Sequence, residues 1–229
     1  MAGRKQLSFH DFRLKNGRGG PRVGAGRPRT LPRSVVHHIR RPRVPKGTPA
    51  HVTLRVKPGI PSLRQRRFLK DFRRTLAETC ERGEFRVVHY SVQRNHVHLI
   101  VEAAGKQALG RGMKSVASRF AFAVNRVFHR TGKVLEGRYH LHLLTRPREV
   151  RTALAYVLLN ARKHWKQRTG KAPPVRLDDA SSGRWFDGWR GGALPGSFAR
   201  AEVARPRSWL LRQGWRRYGL IELAELPGT

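Results

Sequence analysis

The stretch Phe85-Arg86-Val87-Val88-His89-Tyr90-Ser91-Val92, then Gln93-Arg94-Asn95, then His96-Val97-His98-Leu99-Ile100-Val101-Glu102 decides the fold. Two runs rich in β-branched and apolar residues flank a three-residue break, which predicts two strands joined as an antiparallel hairpin. In the second run side chains alternate between faces. His96 and His98 therefore project from one face, and Val97, Leu99 and Val101 from the other. Two imidazoles side by side on a rigid strand form a bidentate seat for a metal ion; by spacing alone, contact with nucleic-acid phosphates is the commoner role.

Working outward, His51–Val56 alternates up to Pro58-Gly59 and predicts a strand before the hairpin. Between them Leu63, Phe68, Leu69, Phe72, Leu76 and Cys80 recur near helical spacing, which predicts a helix to about Arg82 with Gly83 as its stop. After the hairpin, Met113, Val116, Phe120, Ala123, Val124 and Val127 mark a basic amphipathic helix from Gln107 to about His129. Arg138–Leu144 alternates as a further strand. Val150, Leu154, Val157 and Leu158 then stripe a last helix from Arg148 to about Gln167. The order β-α-β-β-α-β-α predicts an α+β chain whose first six elements are those of the ferredoxin-like, split βαβ fold with an antiparallel sheet.

The charge is lopsided. Of 229 residues, 49 are Lys or Arg and 14 are Asp or Glu, for a net +35. Such a field favours a polyanion, because each neutralised phosphate releases a counterion. No stretch approaches the roughly 18 apolar residues of a membrane span, and no apolar run follows the basic N-terminus, so a cytoplasmic, nucleoid-associated protein is expected. A single cysteine, Cys80, excludes an internal disulfide and a multi-cysteine zinc site.

Three regions follow from composition. Residues 1–48 carry 13 Lys and Arg and one acid, broken by Gly and Pro, and read as a flexible basic arm. Within it Gly26-Arg27-Pro28-Arg29 resembles the core of a minor-groove AT-hook, although a solvated tail accounts for it as well. Residues 49–170 hold the periodic elements with a net +19, and residues 171–229 form a Trp-rich C-terminal annex with a net +4. Trp185, Trp189, Trp209 and Trp215 either pack that annex on the core or stack on bases; packing is the commoner fate of tryptophan.

A chain that cuts phosphodiesters needs a nucleophile, and four tyrosines are on offer: Tyr90, Tyr139, Tyr156 and Tyr218. Tyr156 differs from the rest in having Asn160 four residues on along a helix, with Lys163 and His164 beyond. That spacing turns the phenol and a neutral oxygen ligand to one helix face.

From about His51 to Lys166 the chain resembles the single-tyrosine HUH transposases, most closely the REP-associated tyrosine transposases of bacteria. The resemblance is carried by His51-Val52-Thr53-Leu54-Arg55, Asn95-His96-Val97-His98-Leu99, Gly137-Arg138-Tyr139, and Tyr156-Val157-Leu158-Leu159-Asn160 with Arg162-Lys163-His164. Ala161 stands where relatives carry Pro, and Leu135 where they often carry Trp. The resemblance implies a ferredoxin-like domain acting on single-stranded DNA near a hairpin. It also implies His96, His98 and Asn160 as ligands of Mg²⁺ or Mn²⁺, and Tyr156 as the nucleophile that forms a 5′-phosphotyrosine. Arg55, Arg94, Lys114, Arg119, Arg138, Lys163 and His164 are the candidate DNA contacts. Two other readings stay open: a non-catalytic DNA-hairpin-binding protein, and a two-histidine phosphoesterase suggested by His51-Val52-Thr53.

Overall fold

A computed structural model of the protein describes residues 43–192 and 201–227. The basic arm, with Gly26–Arg29, lies outside the described residues except for positions 43–48.

Five strands form one antiparallel sheet in the order β2-β3-β4-β1-β5: β1 Ala50–Arg55, β2 Glu81–Arg82, β3 Phe85–Val92, β4 His96–Ala103 and β5 His140–Leu143. Helix α1 (Arg66–Ala77) follows β1, α2 (Lys106–Val127) follows β4, and α3 (Pro147–Thr169) follows β5. With β2 set aside as a short edge extension, this is the ferredoxin-like arrangement expected from the sequence.

Alternation assigns each face its helices. Val97, Leu99 and Val101 of β4, with Val52 and Leu54 of β1, join Phe68, Phe72 and Leu76 of α1 and Met113, Val116, Phe120 and Val124 of α2 in one core. Phe68 and Phe72 each meet Phe120 edge to face at about 6 Å, a favoured aromatic geometry. Phe72 is almost wholly buried, so truncating it to Ala costs about 3–5 kcal/mol. Gly112 lets α2 lie against the Phe85 ring; a Cβ there would collide with it.

On the other face Ile100 and Val88 pack with Val150, Leu154, Val157 and Leu158 of α3 in a second core. A bulge at Val88 shifts the β3–β4 register and brings both Val88 and His89 to this side. The same core takes in Phe186, Trp189, Leu211 and Trp215. The indole N–H of Trp189 donates to the Gly183 carbonyl and that of Trp215 to the Leu211 carbonyl, so both rings are buried without an orphaned donor. Trp209, at the start of the one-turn helix α4 (Trp209–Arg212), stays half exposed.

Helix α3 begins where Pro147 pre-sets the first turn and Glu149 Oε2 accepts from the backbone N–H groups of Thr145 and Arg146. It ends at Gly170, whose φ of +68° is the left-handed stop. Two boundaries differ from expectation. Helix α1 stops at Ala77 rather than near Arg82, because Glu81–Arg82 pair with Phe85–Arg86 as a strand. Gly83, at φ +55°, turns that hairpin rather than ending the helix. Among the described residues no helix is long and apolar enough to cross a membrane.

Candidate functional site

The face of β1 and β4 that looks toward α3 carries polar residues where the opposite face carries the core. Thr53 pairs with His98 and Arg55 with His96 across the β1–β4 ladder. His96 Nε2 and His98 Nε2 lie 3.0 Å apart. The Nδ1–H of His96 donates to Asn95 Oδ1 at 2.8 Å, because an amide oxygen can only accept. That fixes the tautomer and leaves a lone pair on Nε2. His98 Nδ1 is held from behind by Thr53 Oγ1 at 3.1 Å and His51 Nε2 at 3.0 Å. With His98 Nδ1–H donating to Thr53 Oγ1, the two Nε2 lone pairs converge on one point.

Burial, followed by the neighbouring imidazoles, lowers the pKa of His98 from its ordinary value to about 3. Burial, then His164 and Arg55, lowers His96 to about 4, and burial, then His142, lowers His51 to about 4. All three rings are thus neutral at pH 7, the form that ligates a metal.

Helix α3 crosses this face. The Tyr156 ring stands edge-on to His98 at 5.2 Å and to His51 at 5.8 Å between centroids. Two turns on, His164 meets His96 edge-on at 6.4 Å. Asn160 lies between them on the same helix face, fully buried, and neither its Oδ1 nor its Nδ2 has a hydrogen-bond partner among the described residues. A buried amide left wholly unpaired costs about 1–3 kcal/mol and calls for a function. Lys163 places Nζ 5.4 Å from the Tyr156 ring centre.

Among the described residues no group of three or more His, Cys, Asp or Glu side chains is arranged to hold a metal ion. The donors on this sheet face are two imidazole nitrogens 3.0 Å apart, with His51 committed to the back of His98, while the unpaired Asn160 amide belongs to the helix that crosses them. Their spacing fits a hard divalent cation, since cis ligands about 2.1 Å from an octahedral centre are about 3.0 Å apart. Two imidazoles and a carbonyl oxygen suit such a cation.

The structure thus brings Tyr156, His96, His98, Lys163 and His164 together, with Asn160 between the helix and the sheet. Arg94 is exposed beside His96, and Arg55 is exposed on the same face, 3.4 Å from Glu136. Lys114, Arg119 and Arg138 are not brought to the site. The first two lie on α2, across the sheet, where Lys114 and Arg138 line a separate hollow with Met113 and Leu141. The part of His51 and Thr53 in fixing the His98 ring was not read from the sequence, although their two-residue spacing repeats that of His96 and His98. His140 and His142 of β5 repeat it again, with His142 paired to His51.

Residues 47–157 match the family described as transposase, IS200-like. The matched segment includes His51, Thr53, His96, His98 and Tyr156 and stops short of Asn160. A solved structure described as a REP-associated tyrosine transposase bound to a REP hairpin is similar at 17% identity and a TM-score of 0.47, covering 56% of this chain and 74% of that one. No curated protein matches the chain. Over residues 47–157, just under half of its length, the chain is thus similar to the IS200-like transposases.

Proposed function

We propose that the protein cuts single-stranded DNA near a hairpin and transfers it to a second strand through a covalent 5′-phosphotyrosine on Tyr156. The observation that supports this reading is the meeting on one sheet face of Tyr156 and two imidazole nitrogens 3.0 Å apart, below a helix whose buried Asn160 amide has both polar atoms unpaired among the described residues. His96, His98 and Asn160 would hold Mg²⁺ or Mn²⁺, which would polarise a non-bridging phosphate oxygen and orient the ester.

The chain's own residues do the rest. Tyr156 Oη forms a bond to phosphorus as the bond from phosphorus to the 3′ oxygen breaks. The phenolic proton passes to solvent, and the leaving 3′ oxygen takes up a proton to become a hydroxyl. Lys163, 5.4 Å from the ring centre, offsets the negative charge that the phenol acquires as it ionises. The ester bond is conserved in the phosphotyrosine, so the 3′ hydroxyl of a second strand can attack it and return Tyr156 to the phenol. His51 and Thr53 act through His98, holding its ring so that Nε2 faces His96.

The phosphoesterase reading is disfavoured because His51 Nε2, which it would need for chemistry, is engaged with His98 Nδ1 at 3.0 Å. Tyr156→Phe removes only the nucleophilic oxygen and keeps the ring. It should abolish cleavage of a hairpin-bearing single strand while leaving the melting temperature and DNA affinity unchanged; cleavage at the wild-type rate rejects the assignment.

A further inference from the structure

Beside His96 and His164 opens a groove of about 1290 Å³. Its walls are the start of α1, the turn between β3 and β4, the second half of α3, and residues 173–180. It exceeds the roughly 300–1,000 Å³ of a small-molecule pocket. Eight Lys and Arg side chains line it against two acids, Asp178 and Asp179. Arg64 is tied to Asp178 by two hydrogen bonds of 2.9 and 2.6 Å, and Arg162 is spent on backbone carbonyls. Arg66, Lys70, Arg94 and Arg176, all exposed, form no ion pair or side-chain hydrogen bond among the described residues. Such uncommitted charge draws a phosphate backbone into the groove.

One feature is not electrostatic. Trp165 also lines the groove and is 37% exposed. Arg168 sits 5.5 Å from its ring centre, and its sequence neighbour His164 packs against His96. An indole bared in a basic groove has little use for a duplex, whose bases are covered. It suits unpaired bases, each with a free π-face.

We infer that this groove carries the single-stranded segment joined to the reacting phosphate, with Trp165 stacking on an unpaired base close to the cut. The assignment rests on the reading of Tyr156 as the reacting residue, and it makes Trp165 and the free cations the residues that select single strands over duplex. Trp165 and Arg176 lie beyond the family-matched segment, whereas Arg66, Lys70 and Arg94 lie within it.

Binding is measured on the full chain carrying Tyr156→Phe, so that no turnover intervenes, with a mixed-sequence single strand and the blunt duplex made from it. Adding Trp165→Ala should weaken single-strand binding roughly tenfold, the loss of one stacked base, and leave duplex binding unchanged. Trp165→Phe should stay within about twofold of the parent, because a phenyl ring still stacks. Arg94→Gln with Arg176→Gln should make the logarithmic salt slope shallower by about 1.4 for the single strand. Equal losses on both probes, no loss with Trp165→Ala, or an unchanged salt slope would overturn the inference. Failure of the Tyr156 reading shows separately, as cleavage that survives Tyr156→Phe alone.

Discussion

The Tyr156 ring stands edge-on to the His98 imidazole, 5.2 Å between centroids, across the gap between α3 and β4. The pair joins the two halves of the proposed chemistry, nucleophile and metal seat, and neither residue reaches its position without the packing behind it. The back of His98 is held by Thr53 and His51, and α3 is held by Val150, Leu154 and Val157 in the second core.

Removing the support behind His98 should weaken the metal seat without touching a ligand. Thr53→Val keeps the side-chain shape and removes the hydroxyl 3.1 Å from His98 Nδ1. Loss of such a supporting contact lowers metal affinity by about 10–100-fold. Calorimetric titration with Mn²⁺ should show a drop in this range with an unchanged melting temperature. Unchanged Mn²⁺ affinity would mean that the Thr53 hydroxyl has no part in holding the ring.

Asn160 should trade stability for function. Its buried amide has no partner among the described residues, so Asn160→Leu, which replaces the two polar atoms with methyl groups on the same branched frame, should stabilise the metal-free protein by about 1–2 kcal/mol. The same variant should lose metal-dependent cleavage. A lower melting temperature for the Leu variant would show that the amide serves the fold.

Acid should unfold the protein through His89. Complete burial lowers its pKa from the ordinary 6.5 to about 3, with Nδ1 facing Ser182 Oγ at 3.2 Å and the ring against Phe186. The unfolded chain takes up a proton at this residue near pH 6.5, whereas the folded one refuses it until about pH 3. The folded state is therefore at no disadvantage above pH 6.5 and loses up to about 1.4 kcal/mol per pH unit as the pH falls through that window. Thermal denaturation between pH 7 and 4 should show a steeper decline for the wild type than for His89→Phe. Parallel curves would count against a neutral buried His89.

The hairpin was legible because its signals are local: two runs rich in β-branched and apolar residues on either side of Gln93-Arg94-Asn95, the second of them alternating, gave β3 and β4 their bounds. The i, i+4 spacing likewise placed Tyr156 and Asn160 on one helix face. The end of α1 was not legible, because Leu76 and Cys80 keep a four-residue spacing while Cys80 is buried as the lead-in to β2, an element only two residues long. Nor was the hold of His51 and Thr53 on His98, since it depends on β1 lying beside β4 with Thr53 opposite His98, a long-range pairing fixed by sheet order. Trp189 and Trp215 went unplaced because the segments that bury them consist of turns and short helices without a period.

The N-terminal region should act through charge. Residues 1–42 hold 11 Lys and Arg against one acid, while Val44 belongs to the core, so a truncation should begin at residue 43. Its removal should weaken binding to all DNA sequences and flatten the logarithmic salt dependence. The position of the cut at saturating substrate should not move. A shifted cut with an unchanged salt slope would show sequence readout, as expected of a minor-groove hook at Gly26–Arg29.

The most direct test of the central claim is covalent trapping. The full chain is incubated with Mn²⁺ and a hairpin-bearing single strand, and the protein–DNA adduct is digested and mapped by mass spectrometry. The account predicts a 5′-phosphate ester on Tyr156, absent in Tyr156→Phe and in His96→Ala and His98→Ala. An adduct on Tyr139, or an undiminished yield in excess chelator, would contradict it.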